Sequence, residues 1–92
     1  MSESFKEIII ASEPGSFLPD ASFAHGIHLL FVQSRAGWWH GTGWVNGEMQ
    51  RCGSSDREWM ERAFIAKHGT PATLRIFNTQ AEAHAAYPKF YL

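Results

Sequence analysis

The sequence is short of most features that announce a function. Its 92 residues contain one cysteine, Cys52, so no intrachain disulfide can form and the chain suits a reducing compartment. Long apolar runs are missing. Four-residue runs such as 8–11 and 29–32 are the longest and fall far below the ~20 residues of a membrane-spanning helix, and Glu3, Lys6 and Glu7 interrupt the segment where a signal peptide would be apolar. A cytoplasmic protein with no membrane partner is expected. Positive charge is not in excess either: eight Lys and Arg against nine Asp and Glu give a formal charge of −1. That balance removes the broad field that phosphate backbones require, so nucleic acid is not the expected partner. Residues 37–43 hold three glycines but neither the lysine of a phosphate loop nor the spacing of a dinucleotide fingerprint.

What the chain does have is burial power. Hydrophobic residues make up 45% of it and aromatic residues 14%, enough for one folded domain spanning residues 1–92 without disulfide or metal staples. Residues 5–12 are rich in isoleucine and end at Glu13-Pro14-Gly15, which predicts a first strand and a break. A long loop follows over residues 12–24, anchored by Phe17, Leu18 and Phe23. Residues 27–34 read as a strand and 35–37 as a turn. Residues 38–45 form the next strand, with Asn46-Gly47 turning it into another over 48–52, because both turn residues tolerate positive φ. Ser55 and Glu58 match a capping box for a helix that Gly69 and Pro71 end. Residues 73–77 predict a strand, and Thr79 with Glu82 cap a short helix over 80–87. The order β-β-β-β-α-β-α implies an α+β fold, an antiparallel-rich sheet of about four to five strands with helices packed on one face.

Period-two alternation separates the strand 38–45 into two unlike faces. Trp38, His40, Thr42 and Trp44 share one; Trp39, Gly41, Gly43 and Val45 share the other. Alternating glycines in a strand imply close approach of something bulky, and Trp59 or Phe64 of the main helix are the candidates. The tryptophan-bearing face should then point away from that helix.

Catalytic constellations are weak. His25 and His28 have a spacing met in metal sites but no second ligand pair, so no metal and no cofactor are expected. Cys52 lies beside Arg51 and before a helix start, a setting that can lower a thiol pKa, yet no histidine is placed next to it. The remaining signal is aromatic: Trp38, His40, Thr42 and Trp44, with Arg35 and Arg51 nearby, have the composition of an interface hot spot. A second layer from the 12–24 loop or from Phe90, Tyr91 and Leu92 would instead make that face core.

These residues imply a small non-catalytic module that binds another protein and occludes or modulates it. Inhibitors, immunity proteins and adaptors work this way, as do phage and mobile-element anti-defence proteins such as anti-CRISPR proteins, though no motif ties the chain to any such family. The alternatives are a small metal- or Cys52-dependent enzyme and a nucleic-acid-binding accessory protein. A homodimer through an edge strand or the aromatic face is compatible with each.

Overall fold

The structure, a computed structural model, describes residues 18–88, apart from the side chains at 53–55. The strand expected over residues 5–12, Phe17 and the aromatic tail 90–92 lie outside the described residues. Four strands, β1 (Ile27–Gln33), β2 (Trp39–Val45), β3 (Glu48–Ser55) and β4 (Thr73–Phe77), form one sheet in the order β3-β2-β1-β4. β1 pairs antiparallel with β2, and β2 with β3, whereas β4 runs parallel to β1. Helix α1 (Arg57–His68) connects β3 to β4, and helix α2 (Gln80–Ala86) follows. The fold is α+β with a mostly antiparallel sheet.

Local chemistry accounts for these elements. At the β2–β3 turn Asn46 has φ of 52° and Gly47 of 85°, the positive values that a tight two-residue hairpin demands. Asn46 also accepts from the Gly26 N–H through Oδ1 at 2.9 Å and donates its own N–H to the Gly26 carbonyl at 2.8 Å, which ties the turn to the start of β1. Asp56, rather than Ser55, caps α1: its carboxylate accepts from the Glu58 N–H at 3.2 Å. β3 runs through Ser55, three residues past the expected end at Cys52, and this moves the helix start by one position. Thr79 caps α2 as expected, accepting from Glu82 N–H at 3.1 Å. The Glu82 carboxylate reaches one residue further back than in the standard box, to the Asn78 N–H at 3.0 Å.

The sheet carries a core on each face. On one, Leu29 and Phe31 of β1 meet Met60 and Phe64 of α1, with Trp39, Val45 and Cys52 at the margin. α1 rests on β2 and β3; Gly43 makes room for it, and Gly41 for side chains of the neighbouring strands. A Cβ at Gly43 would run into the Phe64 ring, and one at Gly41 would lie 2.8 Å from the Phe31 ring and 3.0 Å from the Cys52 Cβ. Phe64 is thus the bulky neighbour, while Trp59 stands in solvent. On the other face Leu30, Val32, Trp44 and Phe77 are covered by Phe23, Ala83 and Tyr87. Phe23 comes from a 3₁₀ turn, Ala21–Ala24, capped by Asp20; Ala83 and Tyr87 come from α2 and its C-cap. The helical cover is therefore divided between the two faces. Phe23 stacks on His28 with centroids 4.4 Å apart and meets Trp44 edge-on at 5.2 Å, contacts that fix the 3₁₀ turn against the sheet.

Candidate protein-binding surface

The structure scatters the six residues that the sequence grouped. Trp44 is fully buried and Thr42 is 3% exposed, so neither is available to a partner. Phe23, from the 12–24 loop foreseen as a cover for this face, is part of the layer over them, together with Ala83 and Tyr87. His40 is half-buried at the other end of the strand, and loss of water pushes its pKa below the usual value, keeping the imidazole neutral. Arg51 is exposed on β3, paired in register with Thr42.

Trp38 and Arg35 remain together at the β1–β2 hairpin tip. Trp38 precedes β2 rather than opening it, and is 62% exposed. Its position is fixed by backbone geometry. The Ser34 N–H donates to the Trp38 carbonyl at 2.8 Å, the Gly37 N–H to the Ser34 carbonyl at 3.0 Å, and the Trp38 N–H to Ser34 Oγ at 3.2 Å. Gly37, at φ 94°, supplies the left-handed residue that this turn requires. Gln33 Nε2 closes the loop onto the Gly37 carbonyl at 3.1 Å. The turn thus fixes the backbone from which a large indole stands in water, with an exposed arginine three residues before it, so the loop itself needs no ordering on binding.

A second accessible region lies between β3 and α1. Gln50, Arg51 and Cys52 on the strand, and Trp59, Met60, Ala63, Phe64, Lys67 and His68 on the helix, line a groove of about 200 Å³. Trp59 is 56% exposed on its wall. Sequence reasoning assigned Trp59 to the apolar helix face and missed this groove; its signal was the four-residue spacing Trp59-Ala63-Lys67, which sets these side chains in one row beside Met60 and Phe64.

The chemistry-bearing groups take ordinary places. Burial raises the Cys52 thiol from 9.0 to about 11, the opposite of the lowering that would activate it as a nucleophile. His28 is buried and its Nε2 lies 2.6 Å from the His25 carbonyl oxygen, so this pair is joined through backbone rather than converging on a shared ligand. No group of three or more His, Cys, Asp or Glu positioned for a metal occurs among the described residues. Among those residues, too, no helix is long and apolar enough to cross a membrane.

The site and fold together define a small α+β domain with an aromatic hairpin tip and an apolar strand–helix groove. Compared with protein-family models, with curated proteins and with solved structures, the chain matches none.

Proposed function

We propose that the protein is a small binding module that acts non-catalytically, by occupying and thereby occluding or modulating a partner protein. The observation that supports this reading is the hairpin tip, where hydrogen bonds from Ser34, Gly37 and Trp38 hold a 62%-exposed tryptophan beside exposed Arg35. Tryptophan and arginine are the residues most enriched in interface hot spots, and truncating such a residue typically costs about 2 kcal/mol or more of binding. Occlusion of a host or defence component, in the manner of an inhibitor, immunity or anti-defence protein, is the corresponding role in a cytoplasmic setting.

The test is affinity capture from host lysate with mass spectrometry, comparing the natural chain with a Trp38→Ala, Arg35→Ala chain of matching thermal stability. The proposal expects one dominant partner recovered by the natural chain and lost by the variant. Recovery of the same proteins by both chains would overturn it.

A further inference from the structure

The cover that α1 gives the sheet stops short of one edge. In the parallel register of β4 with β1, Leu74 sits beside Leu29 and Ile76 beside Phe31, so both side chains belong to the face on which α1 lies. Yet α1 rests on β2 and β3. Leu29 and Phe31 are fully buried beneath it, whereas Leu74 is 37% and Ile76 42% exposed. Arg75 points to the other face, where its guanidinium lies over the Phe77 and Tyr87 rings at 5.1 and 5.7 Å and donates to the Tyr87 hydroxyl at 3.3 Å. No carboxylate pairs with it among the described residues. β4 is an end strand whose outer edge pairs with no other described strand, and an unpaired edge with exposed apolar side chains is a template for one more.

The chain itself carries a segment of matching pattern. Residues 1–17 precede Leu18, the first described residue, and they include Glu7-Ile8-Ile9-Ile10. In a strand, Ile8 and Ile10 share one face and Glu7 and Ile9 the other. With Ile9 opposite Arg75, Ile8 and Ile10 come opposite Leu74 and Ile76 whichever way the strand runs. Glu7 then lies diagonal to Arg75 on the opposite face, within reach of long side chains. The connection is long enough: residues 13–17 span at most about 20 Å, and four strands ~4.8 Å apart measure about 14 Å from edge to edge. Leu18, where that connection ends, packs on the core of the Arg75 face.

The competing arrangements fit less well. None of the exposed large apolar residues lies on β3, and α1 already rests on that strand. A second copy could pair its β4 antiparallel to this one, but setting Leu74 against Ile76 of the copy places the two Arg75 side chains directly opposite, a destabilising like-charge pair.

We propose that residues 5–12 of this chain add to the outer edge of β4 as a fifth strand, with Ile8 and Ile10 covering Leu74 and Ile76 and Glu7 pairing with Arg75. The molecule thereby closes its own sheet edge and takes the apolar strip out of reach of other strands.

The experiment is nuclear Overhauser spectroscopy on the full-length chain with labelled Ile and Leu methyl groups, together with amide hydrogen exchange. The proposal expects contacts within one molecule from the Ile8 and Ile10 methyls to those of Leu74 and Ile76. Ile8→Asp with Ile10→Asp should speed exchange of the outward-facing β4 amides by at least about tenfold and leave the central β2 amides unchanged. Glu7→Arg should speed it about threefold, in keeping with an exposed ion pair, and adding Arg75→Glu should restore the slower rate. Absence of the methyl contacts, or contacts found only between copies in a mixed-label sample, would overturn the proposal. Equal β4 exchange in the natural and double-aspartate chains would overturn it as well. Should the double-aspartate chain fail to fold, the methyl contacts in the natural chain decide. The residues tested lie outside the hairpin tip, so the outcome is independent of the Trp38 surface.

Discussion

Trp38 and Trp44 stand six positions apart in one aromatic stretch, yet one is 62% exposed and the other has no exposed surface. Parity puts them on one face, and the strand does send Trp44 away from α1 as that parity requires. Burial, however, is decided by what arrives from elsewhere in the chain. Phe23, from a 3₁₀ turn about twenty residues before, and Tyr87, from beyond α2, meet over the middle of the sheet and seal Trp44. Trp38 lies past the strand end, where the Ser34 turn holds it clear of that cover. The two tryptophans therefore serve different purposes, one in cohesion and the other at the surface.

The largest expected effect is at the sealed residue. Trp44→Ala should destabilise the fold by about 3–5 kcal/mol, the range for truncating a fully buried large aromatic, as read by urea unfolding. A loss below ~1 kcal/mol would break the contrast. On the opposite face Gly43→Ala should cost about 1–3 kcal/mol by overpacking, since its Cβ has no room under Phe64. Adding Phe64→Leu should return part of that loss in a double-mutant cycle, because the two positions are in contact. Thr79→Ala removes the side-chain cap of α2 and should cost about 1 kcal/mol. It also loosens the platform that holds Tyr87, so near-ultraviolet circular dichroism should change with it.

Cys52 contributes a pH-dependent effect that is absent near neutrality. Its thiol titrates at 9.0 when unhindered and at about 11 in the fold. Between those values the unfolded chain has lost a proton that the folded chain keeps, so stability falls as pH rises through that window and is intact below pH 9. Denaturation midpoints at pH 8, 9, 10 and 11 should show the decline, reduced by Cys52→Ala. An equal decline in both chains would assign it to other groups. The smallest effect belongs to the exposed partner of the comparison: Trp38→Ala should change stability by no more than about 0.5 kcal/mol, as for surface positions in general.

Much of the fold was legible because its signals are local. Asn46-Gly47 specifies its turn through backbone conformations that few residues adopt, and the boundaries of β4 follow from simple alternation between Thr73 and Phe77. The close approach at Gly43 was legible for the same reason, since a missing side chain leaves a gap that Phe64 of the helix fills, whereas at Gly41 the neighbours are Phe31 and Cys52 of the sheet itself rather than the helix. The candidate site was less so. Whether Thr42 and Trp44 face water depends on Phe23 and Tyr87, and no periodicity within β2 records those residues. Cys52 likewise gains its environment from packing beneath α1, which outweighs the Arg51 beside it in sequence. The groove beside Trp59 escaped notice because a tryptophan at helical spacing is ordinarily buried, whereas here Trp59 lines the groove and stays more than half exposed.

The most direct measurement is tryptophan fluorescence with acrylamide quenching in two full-length chains. One retains only Trp44 and the other only Trp38, the remaining tryptophans being replaced by phenylalanine. The account predicts blue-shifted, quencher-protected emission from Trp44 and red-shifted, readily quenched emission from Trp38. Equal quenching of the two in folded chains would contradict the division between a sealed aromatic core and an open hairpin tip.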